Sequence, residues 1–246
     1  MNTIQTGFSW LDPVLPEGLP YPLNVVISGP GGAGKPLVAA MLNAAWLRNG
    51  GSLVHLLVNF NRDYAEKLLT LFLPEIKNYE NQISYIEFAP KMEGMEIVAP
   101  GMLRANILKP DTFDLAVEQA KKELGPSQLG PLVYGSAMNM LLFSKTYGKA
   151  IYQYLTEQVT HAKNNLYTIA NTVFEDEMDA LEKAAKNLFY THSEGILHLK
   201  FQIRKMVGVS FSKEEVPVPL TEEELHNVRM EAEKARQNLI PIIRNI

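Results

Sequence analysis

The residues whose types and spacing suit chemistry in this chain are Gly29-Pro30-Gly31-Gly32-Ala33-Gly34-Lys35. Glycines let successive backbone N–H groups converge on one anion, and a helix N-terminus behind them adds partial positive charge. A lysine at the seventh position then reaches the outer phosphates of a nucleotide. The pattern departs one residue later, where a hydroxyl that binds Mg²⁺ belongs and Pro36 stands. Proline brings neither a hydroxyl nor an N–H, and it biases Lys35 toward extended backbone. Proline sits well in a helix's first turn, so the turn is expected to survive while its metal chemistry does not. Gly29, Gly31, Gly32, Ala33, Gly34 and Lys35 are therefore the candidate contacts of a vestigial phosphate loop. No cofactor is expected, ATP or ADP held without Mg²⁺ being the alternative, and no metal ligand is assigned.

Such a loop needs a strand before it and a helix after it. Leu23, Val25, Val26 and Ile27 supply the strand. Leu37, Ala40, Met41, Ala44, Ala45 and Leu47 recur at helical spacing from Pro36 to Asn49, where Gly50-Gly51 stops the helix. Upstream, residues 1–22 read as a lead-in with a short helix over Ser9–Leu15. Downstream, residues 52–60 form a continuous apolar run of the kind buried on both faces. A helix follows over Asn61–Leu73, stopped by Pro74, and then a short strand over Gln82–Phe88. Residues 90–110 show no clear period. A helix begins at Asp111 and ends at Gly125, and a strand from Pro131 runs into a loop or short helix. A helix over Lys149–Lys163, a strand over Asn165–Val173 and a helix over Glu177–Asn187 come next. Leu197, Leu199, Phe201 and Ile203 then alternate with polar residues, marking a half-exposed strand. Thr221 caps a highly charged helix reaching about Leu239. Strands alternating with helices, closed by a strand pair, predict one α/β domain over residues 1–246. Its sheet is expected to be mainly parallel, sandwiched by helices, with antiparallel C-terminal edge strands.

The 246 residues are 46% hydrophobic and 20% charged, ordinary proportions for a chain with a full core. A net charge of −4 provides no global field for nucleic acid or anionic lipid. The absence of cysteine excludes disulfides, thiol catalysis and Cys-ligated zinc. The first residues lack the pattern of a signal peptide, and no apolar run reaches the ~20 residues that span a bilayer. The expected setting is cytoplasmic, without a membrane.

Several features together resemble the RecA/KaiC-like ATPases of the P-loop class. The lead-in pairs Thr6-Gly7, Leu11-Asp12 and Gly18-Leu19-Pro20 match that family's TG, LD and G-[LI]-P. Lys205-Met206-Val207-Gly208 stands in place of its K-M-R-G turn. The resemblance implies a RecA-like fold over roughly residues 3–220. It also implies positions for catalysis, and four of them are altered. The hydroxyl is Pro36; the glutamates after the second strand are Asn59 and Asn61; the Walker B aspartate is Gly135, with Ser136 after it; the arginine of the turn is Val207. Asparagine cannot take a proton from water, and each such loss removes a large share of the barrier lowering. The expectation is a non-hydrolysing homologue, not an enzyme, that binds, regulates or assembles with an unidentified protein partner or its own copies. A nucleotide-binding switch without Mg²⁺-supported turnover is one alternative, and a DNA recombination or repair accessory protein is another. An active ATPase would require unrelated carboxylates such as Asp63 or Glu175 to take over.

The remaining chemistry-bearing residues have plainer uses. Asn59 and Asn61 suit a strand end and a helix cap. Glu175, Asp176 and Glu177 suit a helix dipole. His192 and His198 lack partners at metal-ligand spacing. Met92, Met95 and Met102 suit packing against the sheet, with a partner surface as the second use. Lys200, Arg204 and Lys205 form a basic stripe without the interleaved aromatics that single-stranded nucleic acid wants.

Overall fold

The computed structural model describes residues 2–194 and 198–246. In chain order the strands are β1 (Asn2–Ile4), β2 (Leu19–Tyr21), β3 (Asn24–Ser28), β4 (Ser52–Leu57), β5 (Ile83–Phe88), β6 (Met95–Ala99), β7 (Met102–Ala105), β8 (Pro131–Gly135), β9 (Asn165–Thr168), β10 (Asn187–Glu194), β11 (His198–Lys205) and β12 (Val216–Pro217). The α-helices are α1 (Lys35–Arg48), α2 (Arg62–Thr70), α3 (Pro110–Lys122), α4 (Gly148–His161), α5 (Glu175–Ala184) and α6 (Glu222–Arg244). Ten strands form one sheet in the order β12-β11-β10-β3-β9-β8-β4-β5-β7-β6. The run from β10 to β7 is parallel throughout. The edges β11, β12 and β6 are antiparallel. This is the α/β architecture expected from the sequence, with a second antiparallel edge that was not.

Burial explains the readable strands. All residues of β3 and β4 are buried, as parallel strands covered on both faces must be. On one face, α1 and α2 pack into a core with the lead-in; on the other, α3, α4 and α5 form a second core. In α1, 12 of 14 residues are buried, which is why its sequence is apolar nearly all round. On β11, Leu199, Phe201 and Ile203 are buried as the alternation requires. Leu197 lies outside the described residues.

Four readings need correction. Residues 9–14 form hydrogen-bonded turns, with Leu11 N–H donating to the Phe8 carbonyl, and not a helix. Pro13 removes one N–H donor from that stretch, and Pro16 lies just beyond it. Residues 90–110 hold the hairpin β6–β7 at the sheet edge, where all five residues of β6 are exposed and no alternation is imposed. The helix expected up to Asn187 ends at Ala184, because Lys205 Nζ donates to the Lys183 and Ala185 carbonyls. Asn187 instead opens β10, donating to the Asn24 carbonyl and accepting from Val207 N–H. Finally, α6 runs past Leu239 and through Pro241 to Arg244. The carbonyl that Pro241 cannot serve belongs to exposed Gln237, and buried Ile243 anchors the last turn.

Candidate functional site

The glycine loop leaves the end of β3 where the sequence placed it. Gly29 has φ 146°, and a Cβ there would stand 1.9 Å from the Thr191 carbonyl oxygen. Only glycine lets β10 approach this closely. Thr191 Oγ1 then donates to the Ala33 carbonyl at 2.7 Å and fixes the loop's far side. Gly34 caps α1 with φ 58° and no side-chain cap, and Pro36 occupies the first turn.

Within this frame Lys35 does not reach outward. Its Nζ donates to the Gly29 carbonyl at 2.8 Å and the Pro30 carbonyl at 2.5 Å, and the residue is 6% exposed. Burial pushes its pKa down to about 7. A neutral amine still has two N–H groups for two carbonyls, so the contact needs no charge. A second cation turns to the same loop: Arg229 of α6 donates through Nε to the Gly32 carbonyl at 2.7 Å and through Nη2 to Ser193 Oγ at 2.9 Å.

The positions where the resemblance puts carboxylates hold none. Asn61 caps α2, accepting from Tyr64 N–H at 2.9 Å, the use expected of it. Asn59 does not cap; it is 6% exposed and its Oδ1 has no hydrogen-bond partner. A Cβ on Gly135 would stand 2.4 Å from Sδ of Met138, which is fully buried in the 3₁₀ turn Met138–Phe143. Ser136 Oγ faces Thr168 Oγ1 at 3.3 Å, and Thr168 Oγ1 also accepts from Ala137 N–H. A Mg²⁺ ion does not fit this donor set, which lacks the hydroxyl at 36 and a carboxylate at 59 or 135. Asp63 and Glu175 lie in the first turns of α2 and α5. Lys205 of the expected basic stripe is spent on the C-terminus of α5, where its Nζ meets the Lys183 and Ala185 carbonyls.

Over the carboxyl ends of the strands lies α6. Leu225 and Val228 seat it in one core and Ile243 in the other, so its middle passes between the two cores above the glycine loop. Beneath it is a cavity of about 810 Å³ bordered by the whole loop from Pro30 to Pro36, by Asn59 and Ser136, and by Arg229, Glu233 and Arg236 of α6. Arg236 binds Glu233 through two bonds, at 2.9 and 2.8 Å. On the other flank of α6 a cavity of about 500 Å³ is lined by Asn59, Asn61 and Lys234, among others. Sequence reasoning missed this roof. Its only trace is that Arg229, Glu233 and Arg236 share a face at i, i+4 and i+7, a pattern that reads equally as a solvated helix.

The other candidates resolve into local contacts. Nε2 of His192 is 3.5 Å from Glu215, and ligand atoms of His192, Glu194 and Glu215 lie within 4.8 Å of one another. The Lys200 ammonium, 3.5 Å from Glu194, already supplies a countercharge there. Arg204 stacks 3.2 Å over the Tyr190 ring, so the basic stripe is engaged within the protein. Met102 packs on the first core, whereas Met95 is 36% exposed.

No protein-family model and no curated protein matches the sequence. The structure is similar to that of a KaiC-like protein from the hyperthermophilic archaeon Pyrococcus horikoshii OT3, with TM-score 0.63 and 14% identity over 90% of this chain and 96% of that one. The fold is therefore the RecA/KaiC-like P-loop fold. In total 396 solved chains match it, and an architecture so widely used defines no activity by itself. Among the described residues no helix is long and apolar enough to cross a membrane.

Proposed function

We propose that this protein is a RecA/KaiC-like ATPase homologue that does not hydrolyse ATP and acts as a binding, regulatory or assembly protein, with a protein partner or its own copies. The observation that carries this reading is at Gly135. Where the resemblance puts the Walker B aspartate, a Cβ would stand 2.4 Å from Sδ of buried Met138, so a carboxylate side chain there would have to displace that methionine, which supports the reading. The fate of Lys35, buried against its own loop's carbonyls, supports the same reading.

The test combines phosphate release from ATP with thermal-shift titration by ATP, ADP and pyrophosphate, each with and without Mg²⁺. We expect no phosphate above the buffer blank and no Mg²⁺-dependent rise in midpoint. A ligand at ~100 times its Kd adds about 2.7 kcal/mol, or roughly 5–10 °C for a chain of this size. A rise that requires Mg²⁺, or phosphate release, overturns the reading. A rise indifferent to Mg²⁺ selects a nucleotide-binding switch. A salt-dependent mobility shift with single-stranded DNA would select an accessory role in recombination or repair.

A further inference from the structure

The main sheet ends in β12 on one side and in β6 on the other. Every residue of β6 is exposed, and Met95, Ile97 and Val98 are large and apolar. The ladder with β7 shows where the backbone groups of β6 point. In an antiparallel pair, hydrogen-bonded and non-hydrogen-bonded positions alternate. Asn106 N–H donates to the Gly94 carbonyl at 3.0 Å, so the bonded positions are Gly94 with Asn106 and Glu96 with Arg104. Met95, opposite Ala105, and Ile97, opposite Leu103, take the other positions. Their N–H and C=O groups turn away from β7 to the open edge, a row of donors and acceptors that fits another strand. The shift of register between Ile97 and Ala99 ends that row at Val98.

The sheet itself selects which strand fits. A head-to-tail stack of copies would lay β6 on β12 of the next, and β12 has two residues, of which Pro217 has no N–H. Pairing β6 with β6 about a twofold axis avoids that edge and closes on itself. With the axis at Glu96, Met95 of each copy meets Ile97 of the other, and every outward N–H and C=O of these two residues gains a partner. Met95 and Ile97 share one side of the strand, so on that side the two copies bring their apolar residues into one cluster. On the opposite side the two Glu96 side chains face each other, each held at 3.1 Å by its own Arg104. Glu96 is the single charged residue of β6.

We propose that β6 pairs antiparallel with β6 of a second copy, joining two sheets into one across a twofold axis at Glu96. This names a partner within the reading that the protein assembles with its own copies, and it rests on that reading.

The chain has no cysteine, so an introduced thiol reports on the axis alone. Sedimentation velocity without nucleotide should show a reversible monomer–dimer equilibrium below millimolar concentration. Glu96→Cys should form a disulfide-linked dimer under mild oxidation, because directly opposed Cβ atoms at a non-hydrogen-bonded position lie within disulfide reach. Leu115→Cys, equally accessible on α3, should not do so at the same concentration. Ile97→Pro removes one outward N–H and leaves the bonds to β7 in place. It should abolish the dimer with the unfolding midpoint unchanged, and Ile97→Lys decides the matter if the proline variant does not fold. The proposal is overturned if the wild type stays monomeric, if a folded Ile97 variant dimerises as well as the wild type, or if Glu96→Cys crosslinks no faster than Leu115→Cys. Phosphate release from ATP by a dimer paired in this way would overturn the functional reading and leave the pairing standing. A monomer that releases no phosphate would overturn the pairing and leave the reading with a foreign protein as its partner.

Discussion

Two titratable nitrogens are sealed into this molecule, Lys35 at the start of α1 and His55 within β4. Burial pushes Lys35 down to about 7 and His55, between the rings of Tyr85 and Tyr134, down to about 3. Each binds its proton more weakly folded than unfolded, so stability rises with pH between the two values. For His55 the window is about pH 3 to 6.5, and for Lys35 about pH 7 to 10.5. Within each window the gain is up to ~1.4 kcal/mol per pH unit. Urea unfolding followed against pH should show both slopes. His55→Phe should flatten the acid limb alone, and Lys35→Met the alkaline limb alone. A third residue makes a steric prediction. Gly135→Ala forces a Cβ against Met138 and should cost about 1–3 kcal/mol as overpacking. Met138→Ala in the same chain should recover part of that loss, read from the unfolding midpoint.

At the scale of elements, α6 depends on its ends. Thr221 Oγ1 accepts from Glu224 N–H at 3.2 Å while the Glu224 carboxylate accepts from Thr221 N–H at 2.7 Å, a reciprocal cap. Thr221→Ala should cost about 1 kcal/mol and speed hydrogen exchange in the first turns of α6 about fivefold, with α1 unchanged. That cap was legible in the sequence, as was each strand buried on both faces, because sequence patterns report local burial well. What escaped were relations between distant segments. Nothing in Asn187 says that its amide will tie β3 to the turn at Val207, so the expected helix takes in this first residue of β10. Nothing in Arg229 says which loop it will face. The glycine loop itself was legible, yet the direction of Lys35 was not, since a lysine after glycine reads the same whether it points at phosphate or at its own carbonyls.

At the scale of the molecule, the sheet has two unlike edges. β12 is two residues long and carries Pro217, which has no N–H to offer a passing strand. β6 is five residues long and carries Met95, Ile97 and Val98, three of the eight large hydrophobics exposed among the described residues. Its one charge, Glu96, is held by Arg104 at 3.1 Å. Self-association, where it occurs, is expected at this edge. Ile97→Lys should therefore lower the concentration-dependent increase in light scattering without shifting the unfolding midpoint, whereas scattering unchanged by the substitution would place association elsewhere. The roof has a consequence of another kind. Every strand of the sheet precedes α6 in the order of synthesis, and at about 5–20 residues per second its 23 residues take about 1–5 s to emerge. For that interval the side of the sheet that α6 covers stands open, so the helix made last closes over a surface already formed.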